Sequence, residues 1–245
     1  MDNPLQIAQQ NLLAPGGLDE NAIARTLDNI LSYRVDAAEL YFQLTRHESW
    51  SLEDGIVKSG NYDVEQGVGV RAVAGEKTGF AYSDEIVPVA LTRASDMARA
   101  IAKQGGGGAL AAWHAAAAQK LYVPLDPLPT LPDADKVQIL EQVDREARRQ
   151  DPRVKQVMVS LSGVHEVVLV AASDGTFAAD VRPLVRFNVS VIAEQHGRRE
   201  QGYAGGGGRF GYGYFLESGR ALGLAREAVR QALVNLEAVP APAGT

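Results

Sequence analysis

Between His47 and Ile86 apolar and polar residues alternate with the period of two that sends successive side chains to opposite faces of a strand. Val64, Val68, Val70, Ala72 and Ala74 fall on one face, and Glu65 and Arg71 on the other. Asp54-Gly55 supplies the positive φ angles of a tight hairpin, and Gly75-Glu76-Lys77-Thr78-Gly79 reads as a longer hairpin loop. Two hairpins are therefore predicted here, with Leu40–Leu44 opening the strands. The flanks have the helical period instead. Asp19 is placed to cap a helix with Ile23, Leu27, Ile30 and Leu31 on one face. Asp84 is placed to cap a second, in which Leu91, Ala94, Ala98 and Ile101 recur, with Pro88 in the first turn and Gly105–Gly108 as its end.

The second half repeats the first. Asp133 is predicted to cap a helix with Val137, Leu140, Val143 and Ala147 inward, ending near Asp151-Pro152. Strands follow, with Val185, Phe187, Val189 and Val191 on one face against Arg186, Asn188 and Ser190 on the other. Asp174-Gly175 stands 120 residues after Asp54-Gly55, and Gly202-Tyr203 stands 123 after Gly79-Phe80, marking two hairpins at nearly the earlier spacing. A last helix has Ser218 as its cap and Leu222, Ala225, Val229, Ala232, Leu233 and Leu236 as its stripe. The predicted class is α+β, with helix, four strands and helix occurring twice as two helix-flanked antiparallel β-sheet units, the pattern of a pseudo-repeat. Two separate sheets and one continuous sheet both satisfy it. The predicted division is a loose N-terminus at 1–18, an N-terminal α+β domain at 19–104, a linker at 105–132 and a second α+β domain at 133–245. The linker is assigned on its glycines, an alanine run around Trp113 and His114, and four prolines.

Composition narrows the function more than the fold. With 46% hydrophobic and 22% charged residues in 245, the chain has the make-up of an ordinary globular protein with one large core or two modest ones. No apolar run approaches the ~20 residues that span a bilayer, and the opening residues lack the basic start and apolar core of a signal peptide, so no membrane partner and a cytoplasmic location are expected. A net charge of −6 argues against direct nucleic-acid binding, which relies on clustered Lys and Arg. Arg148-Arg149 and Arg198-Arg199 read as a solvated helix end and hairpin loop. The absence of cysteine excludes disulfides and thiolate metal sites within this sequence.

No catalytic constellation is legible. His47, His114, His165 and His196 are far apart, and His47-Glu48 and His165-Glu166 lie in predicted strands, where neighbours face opposite ways. Ser162-Gly163 and Ser173 lack a nucleophile elbow. Gly205, Gly206, Gly207 and Gly208, followed by Arg209-Phe210-Gly211-Tyr212, lack the ending of a phosphate loop. Such a run suits a flexible connection, a subunit contact, or a strand that another backbone approaches closely.

Four long strings carry a resemblance: HESWSLEDGIVKSGNYDVEQGVGVRAVAGEKTGFAYSDEI, LSGVHEVVLVAASDGTFAADVRPLVRFNVSV, GGGGRFGY and ALVNLEAVPAPAGT. They resemble the N-terminal part of the TldD/PmbA zinc metallopeptidases, once described as modulators of DNA gyrase, and the likeness runs from about Leu18 to Thr245. In that family a helix bearing HExxxH follows soon after the APAGT segment. The expectation is therefore the half of the enzyme without its metal, binding no zinc by itself and inactive alone. The resemblance implies a cytoplasmic peptidase acting on unfolded peptides in a heterodimer with a PmbA/TldE-like paralogue, or self-associating. Zinc would activate a water and the motif's Glu would be the general base. This chain would supply substrate-chamber walls and part of the partner interface. A peptide channel of this kind gives Glu53, Asp54, Arg71, Gly205–Gly208 and Arg209 as substrate-path candidates. The alternative is a stand-alone binding, assembly or regulatory module without peptidase activity.

Overall fold

The structure, a computed structural model, describes residues 3–32, 34–102, 108–115, 121–242 and 244. The chain is α+β. After a short helix α1 (Pro4–Ala8) come α2 (Glu20–Leu31), β1 (Ala37–Glu53), β2 (Ile56–Ala74), β3 (Lys77–Ser83) and α3 (Pro88–Ala102). A two-residue β4 (His114–Ala115) precedes α4 (Asp133–Gln150), β5 (Val154–Ala172), β6 (Thr176–Gln195), β7 (Arg198–Gly208), α5 (Gly213–Leu216) and α6 (Arg220–Glu237). Hydrogen-bonded neighbours run β3-β2-β1-β5-β6-β4, with β7 also paired to β6. Of the two arrangements the pattern allowed, this is the strand order of one sheet.

The twofold repeat has three strands between its helices, not four. Leu40–Leu44 and the segment before Asp54 belong to one 17-residue strand. In the second half the final turn lies at His196-Gly197, both with positive φ (53° and 81°), so Gly202 and Tyr203 stand inside β7. The Asp-Gly turns form as predicted, with φ of +52° at Asp54, +74° at Gly55 and +92° at Gly175.

The strands divide between two compact units. One comprises Met1–Arg46, Val64–Pro124 and His165–Arg182; the other comprises His47–Asp63, Leu125–Val164 and Pro183–Thr245. Each unit thus draws on both sequence repeats.

In the first unit Asp19 caps α2, its Oδ1 accepting from the Ala22 N–H at 2.7 Å, and Ile23, Leu27, Ile30 and Leu31 are buried. They pack with Phe42, Val68, Val70, Ala72, Leu91 and Val167, the inward row of each strand meeting the apolar stripe of each helix. Val64, further along the same row of β2, lies outside this core and is 54% exposed. Asp84 lies in the loop ahead of α3 and is not its cap; Pro88 is the first helical residue, where a missing N–H leaves nothing unpaired. Part of the predicted linker joins this unit: His114–Ala115 pairs in parallel with Thr176–Phe177, and the Trp113 ring packs on Phe177 with centroids 5.2 Å apart. Gly105–Gly107 of the predicted helix end lie outside the described residues.

In the second unit Val157, Val159, Leu161, Val185, Phe187, Val189 and Val191 meet Leu140, Val143, Ala225, Val229 and Ala232. Gly202 is required where α6 crosses β7, because a Cβ there would run into the Ala228 carbonyl oxygen and the Ala232 nitrogen. Asp133 is the first residue of α4, with Pro132 at the cap, and makes an ion pair in place of a cap bond. Ser218 sits at φ +53°, and Gly219, at +64°, occupies the cap position of α6. No helix among the described residues is long and apolar enough to cross a membrane.

Candidate functional site

Alternation along β6 buries Val185, Phe187 and Val189 and leaves Arg186, Asn188 and Ser190 on the opposite face. Register with β7 sets Gly207 beside Arg186, Gly205 beside Asn188 and Tyr203 beside Ser190. The result is a furrow of about 480 Å³ within the second unit, walled also by Glu53, Lys58, Met158 and Ser160. Its volume is that of an ordinary small-ligand or peptide side-chain site. Tyr203 lies flat along β7 and donates from its hydroxyl to Asn188 Oδ1 at 2.7 Å; Arg186 Nε donates to the same oxygen at 3.0 Å. Gly205 permits this, since a Cβ there would stand 2.6 Å from that oxygen and 2.8 Å from the Tyr203 hydroxyl.

Strand β7 pairs only with β6, so its outer edge from Tyr203 to Gly208 is an unpaired strand edge among the described residues. The four glycines do different things there. A Cβ on Gly206 would meet nothing within 4 Å, whereas one on Gly207 would strike the Val185 carbonyl oxygen and one on Gly208 the Phe210 ring. The strand ends in an aromatic cluster in which Phe210 and Tyr214 have centroids 3.8 Å apart, with the Arg220 guanidinium 4.1 Å from the Tyr214 centroid. Arg209 donates from Nη1 to the Pro183 carbonyl at 3.3 Å, tying the end of β7 to the start of β6 in this unit.

Beneath this segment lies a buried ionic network that sequence reasoning missed. Lys136 Nζ sits 2.8 Å from Glu48 Oε1 and donates to Asp133 Oδ1 at 3.0 Å. The Trp50 indole and the Tyr212 hydroxyl donate to the same Glu48 oxygen at 3.0 and 3.2 Å. Burial first, and then the Glu48 charge, push the Tyr212 hydroxyl well above the usual phenol range. It is therefore a neutral donor. Gly163 makes room for it: a Cβ there would collide with the Tyr212 hydroxyl and come within 2.8 Å of Leu128. The network anchors Tyr212, and through it the residues that follow the glycines.

The remaining predicted residues separate. Glu53 lines the furrow and accepts from Gln156 Nε2 at 2.5 Å. Asp54 is a turn residue whose Oδ1 accepts from the Val157 N–H at 3.1 Å and from Arg148 Nη2 at 2.5 Å, so its carboxylate ties the β1–β2 turn to β5 and α4. Arg71 belongs to the first unit, paired with Glu39. That unit has its own open furrow of about 410 Å³, where Tyr41, Phe80 and Tyr82 stand around Gly67 and Gly69. His165 is buried, its Nδ1 2.6 Å from Arg46 Nη2; His47 Nδ1 is 3.8 Å from Asp63. Among the described residues no group of three or more His, Cys, Asp and Glu side chains is arranged to hold a metal ion.

Two spans of the chain match known sequence families. The family model for PmbA/TldA metallopeptidase domain 1 matches residues 38–103, and that for the PmbA/TldA metallopeptidase central domain matches 126–236. The chain belongs to the PmbA/TldD metallopeptidase family. Among curated proteins it is similar to a metalloprotease TldD homolog of Haemophilus influenzae, 48% identical over 98% of this chain and 51% of the relative. A metalloprotease TldD homolog of Buchnera aphidicola (Schizaphis graminum) is 40% identical over the same shares. The chain thus spans about half the length of the curated relatives it matches. Among solved structures, a proposed modulator of a DNA gyrase from Thermotoga maritima shares the fold, with a TM-score of 0.75 at 14% identity over 92% of this chain and 50% of that one. TldE from Thermococcus kodakarensis does so with a TM-score of 0.67 at 15% identity over 86% and 47%.

Proposed function

We propose that this chain is the non-metal half of a TldD-like zinc metallopeptidase that degrades or trims unfolded peptides in the cytoplasm. Its role is to hold substrate and to form part of the interface with a PmbA/TldE-like paralogue. The observation that carries this reading is the open glycine edge of β7 beside the furrow on the face of β6. An unfolded peptide has its own backbone N–H and C=O groups to satisfy, and an unpaired strand edge takes them up by adding the peptide as a further strand. Main-chain pairing of this kind holds chains of varied sequence, as a peptidase acting on unfolded substrates requires. The buried Glu48–Lys136–Tyr212 network keeps the end of the edge in place, which limits the ordering that binding must impose.

Zinc chemistry belongs to the remaining half of the protein in this reading, and no hydrolytic step is assigned to residues of this chain. The test is the purified chain alone, assayed for metal by mass spectrometry and for hydrolysis of a fluorogenic unfolded peptide with zinc supplied. Neither stoichiometric zinc nor turnover is expected. A one-to-one zinc complex that cleaves peptide would overturn the assignment.

A further inference from the structure

Resting on the reading that a peptide strand adds to the outer edge of β7, we infer that Arg186 selects for an acidic side chain in that peptide, at the position opposite Gly207. Arg186 projects from the open face of β6, where its hydrogen bonds go to neutral oxygens only: Nε to Asn188 Oδ1 at 3.0 Å and Nη2 to the Tyr203 hydroxyl at 3.3 Å. Tyr203 belongs to β7, so the guanidinium already leans over that strand. Lys58 lines the same furrow, giving two cations against the single carboxylate of Glu53, which is itself engaged by Gln156.

The glycines make this charge reachable. Gly207 pairs directly with Arg186 and Gly205 with Asn188, and both face the open side. With no side chain at Gly207, the β7 residue directly opposite Arg186 leaves the way open from the guanidinium to a strand laid on the free edge, and Tyr203, four residues along β7, meets it only as the acceptor of its Nη2 hydrogen bond. Neighbouring strands lie about 4.8 Å apart, so the added strand runs about 10 Å from β6. An extended arginine and a glutamate close that distance between them. An ordinary residue at Gly207 would block the path and would also strike the Val185 carbonyl oxygen. The glycine run then has a recognition role beyond clearance: it exposes one positive charge, two strands away, to substrate.

The test uses this chain and three fluorescein-labelled unfolded peptides that differ only in carrying Glu, Gln or Lys at one central position, followed by fluorescence anisotropy at low salt. A cross-strand charge pair on an exposed face is worth about a threefold change in affinity, so the Glu peptide is expected to bind about threefold tighter than the Gln peptide and tighter still than the Lys peptide. The preference should shrink at high salt. Arg186→Gln should abolish it, and Arg186→Glu should reverse it in favour of Lys; both substitutions are at one exposed position, and the core is untouched. Equal binding of all three peptides, or an unchanged order with Arg186→Glu, overturns the inference while leaving edge binding intact. Failure of every peptide to bind overturns the β7-edge reading, and this inference with it.

Discussion

Replacing Lys136 with Met removes the cation from the buried network while keeping most of the side-chain volume, and its cost follows from what is left behind. Lys136 is 2% exposed and holds two carboxylates. Asp133 is 72% exposed, so water replaces the lysine there and the loss is at most about 0.5 kcal/mol. Glu48 is buried, and without Lys136 its charge is held only by the neutral Trp50 indole and Tyr212 hydroxyl. Breaking one partner of a buried pair costs about 3–5 kcal/mol, chiefly the desolvation of the orphaned charge. With a urea dependence of about 2 kcal/mol/M, the midpoint should fall by about 2 M. The assay is urea unfolding followed by tryptophan fluorescence in a Trp113→Phe background, in which Trp50 reports alone on the second unit. Lys136→Met with Glu48→Gln should recover most of the loss, because no charge then remains buried and the amide oxygen still accepts from Trp50 and Tyr212. A single substitution within about 1 kcal/mol of the parent, or a double no better than the single, would refute the argument.

Two further outcomes are expected. Gly206→Ala should leave the melting temperature nearly unchanged, because its Cβ enters open space, while Gly207→Ala should destabilise by about 1–3 kcal/mol through the Val185 carbonyl contact; calorimetry of the pair separates the two roles. Glu146, which joins α4 to α6 through Arg226 at 2.6 Å, has its carboxyl held below the ordinary value of 4.5 by hydrogen bonds from Arg226 and then Arg149. A depressed carboxyl contributes stability fully above its unfolded value and loses it as pH falls through the lower folded value. Stability measured from pH 5 downward should therefore decline less steeply in Glu146→Gln than in the parent; identical slopes would exclude this carboxylate as a source of acid sensitivity.

How much of this was legible in the sequence depends on the range of the interaction. Asp19 as a cap and the Asp-Gly turns follow from local backbone chemistry, so three or four residues suffice to read them. The His196-Gly197 turn was obscured because Gly202 is the more conspicuous glycine. Carrying the 120-residue offset of the Asp-Gly pairs forward from Gly75 lands on residue 195, beside the observed turn. Gly202 is instead explained by α6, a contact that no pattern within the strand reveals. The polar face of β6 was readable from its alternation, yet its register with the glycines of β7 depends on where that turn falls. The Glu48–Lys136–Tyr212 network was beyond sequence reasoning altogether, since Glu48 is 88 residues from Lys136 and 164 from Tyr212. A lysine and a glutamate on amphipathic elements read as surface residues until the fold shows otherwise.

The most direct test of the central claim is a complementation assay. This chain is mixed with the separately produced remaining half of a TldD homolog, zinc and a PmbA-type partner, and hydrolysis of an unfolded peptide is followed in every combination. Cleavage that appears only when this chain joins the metal-bearing half is the predicted result. Partner binding without cleavage in any mixture would contradict it and leave a stand-alone binding module in its place.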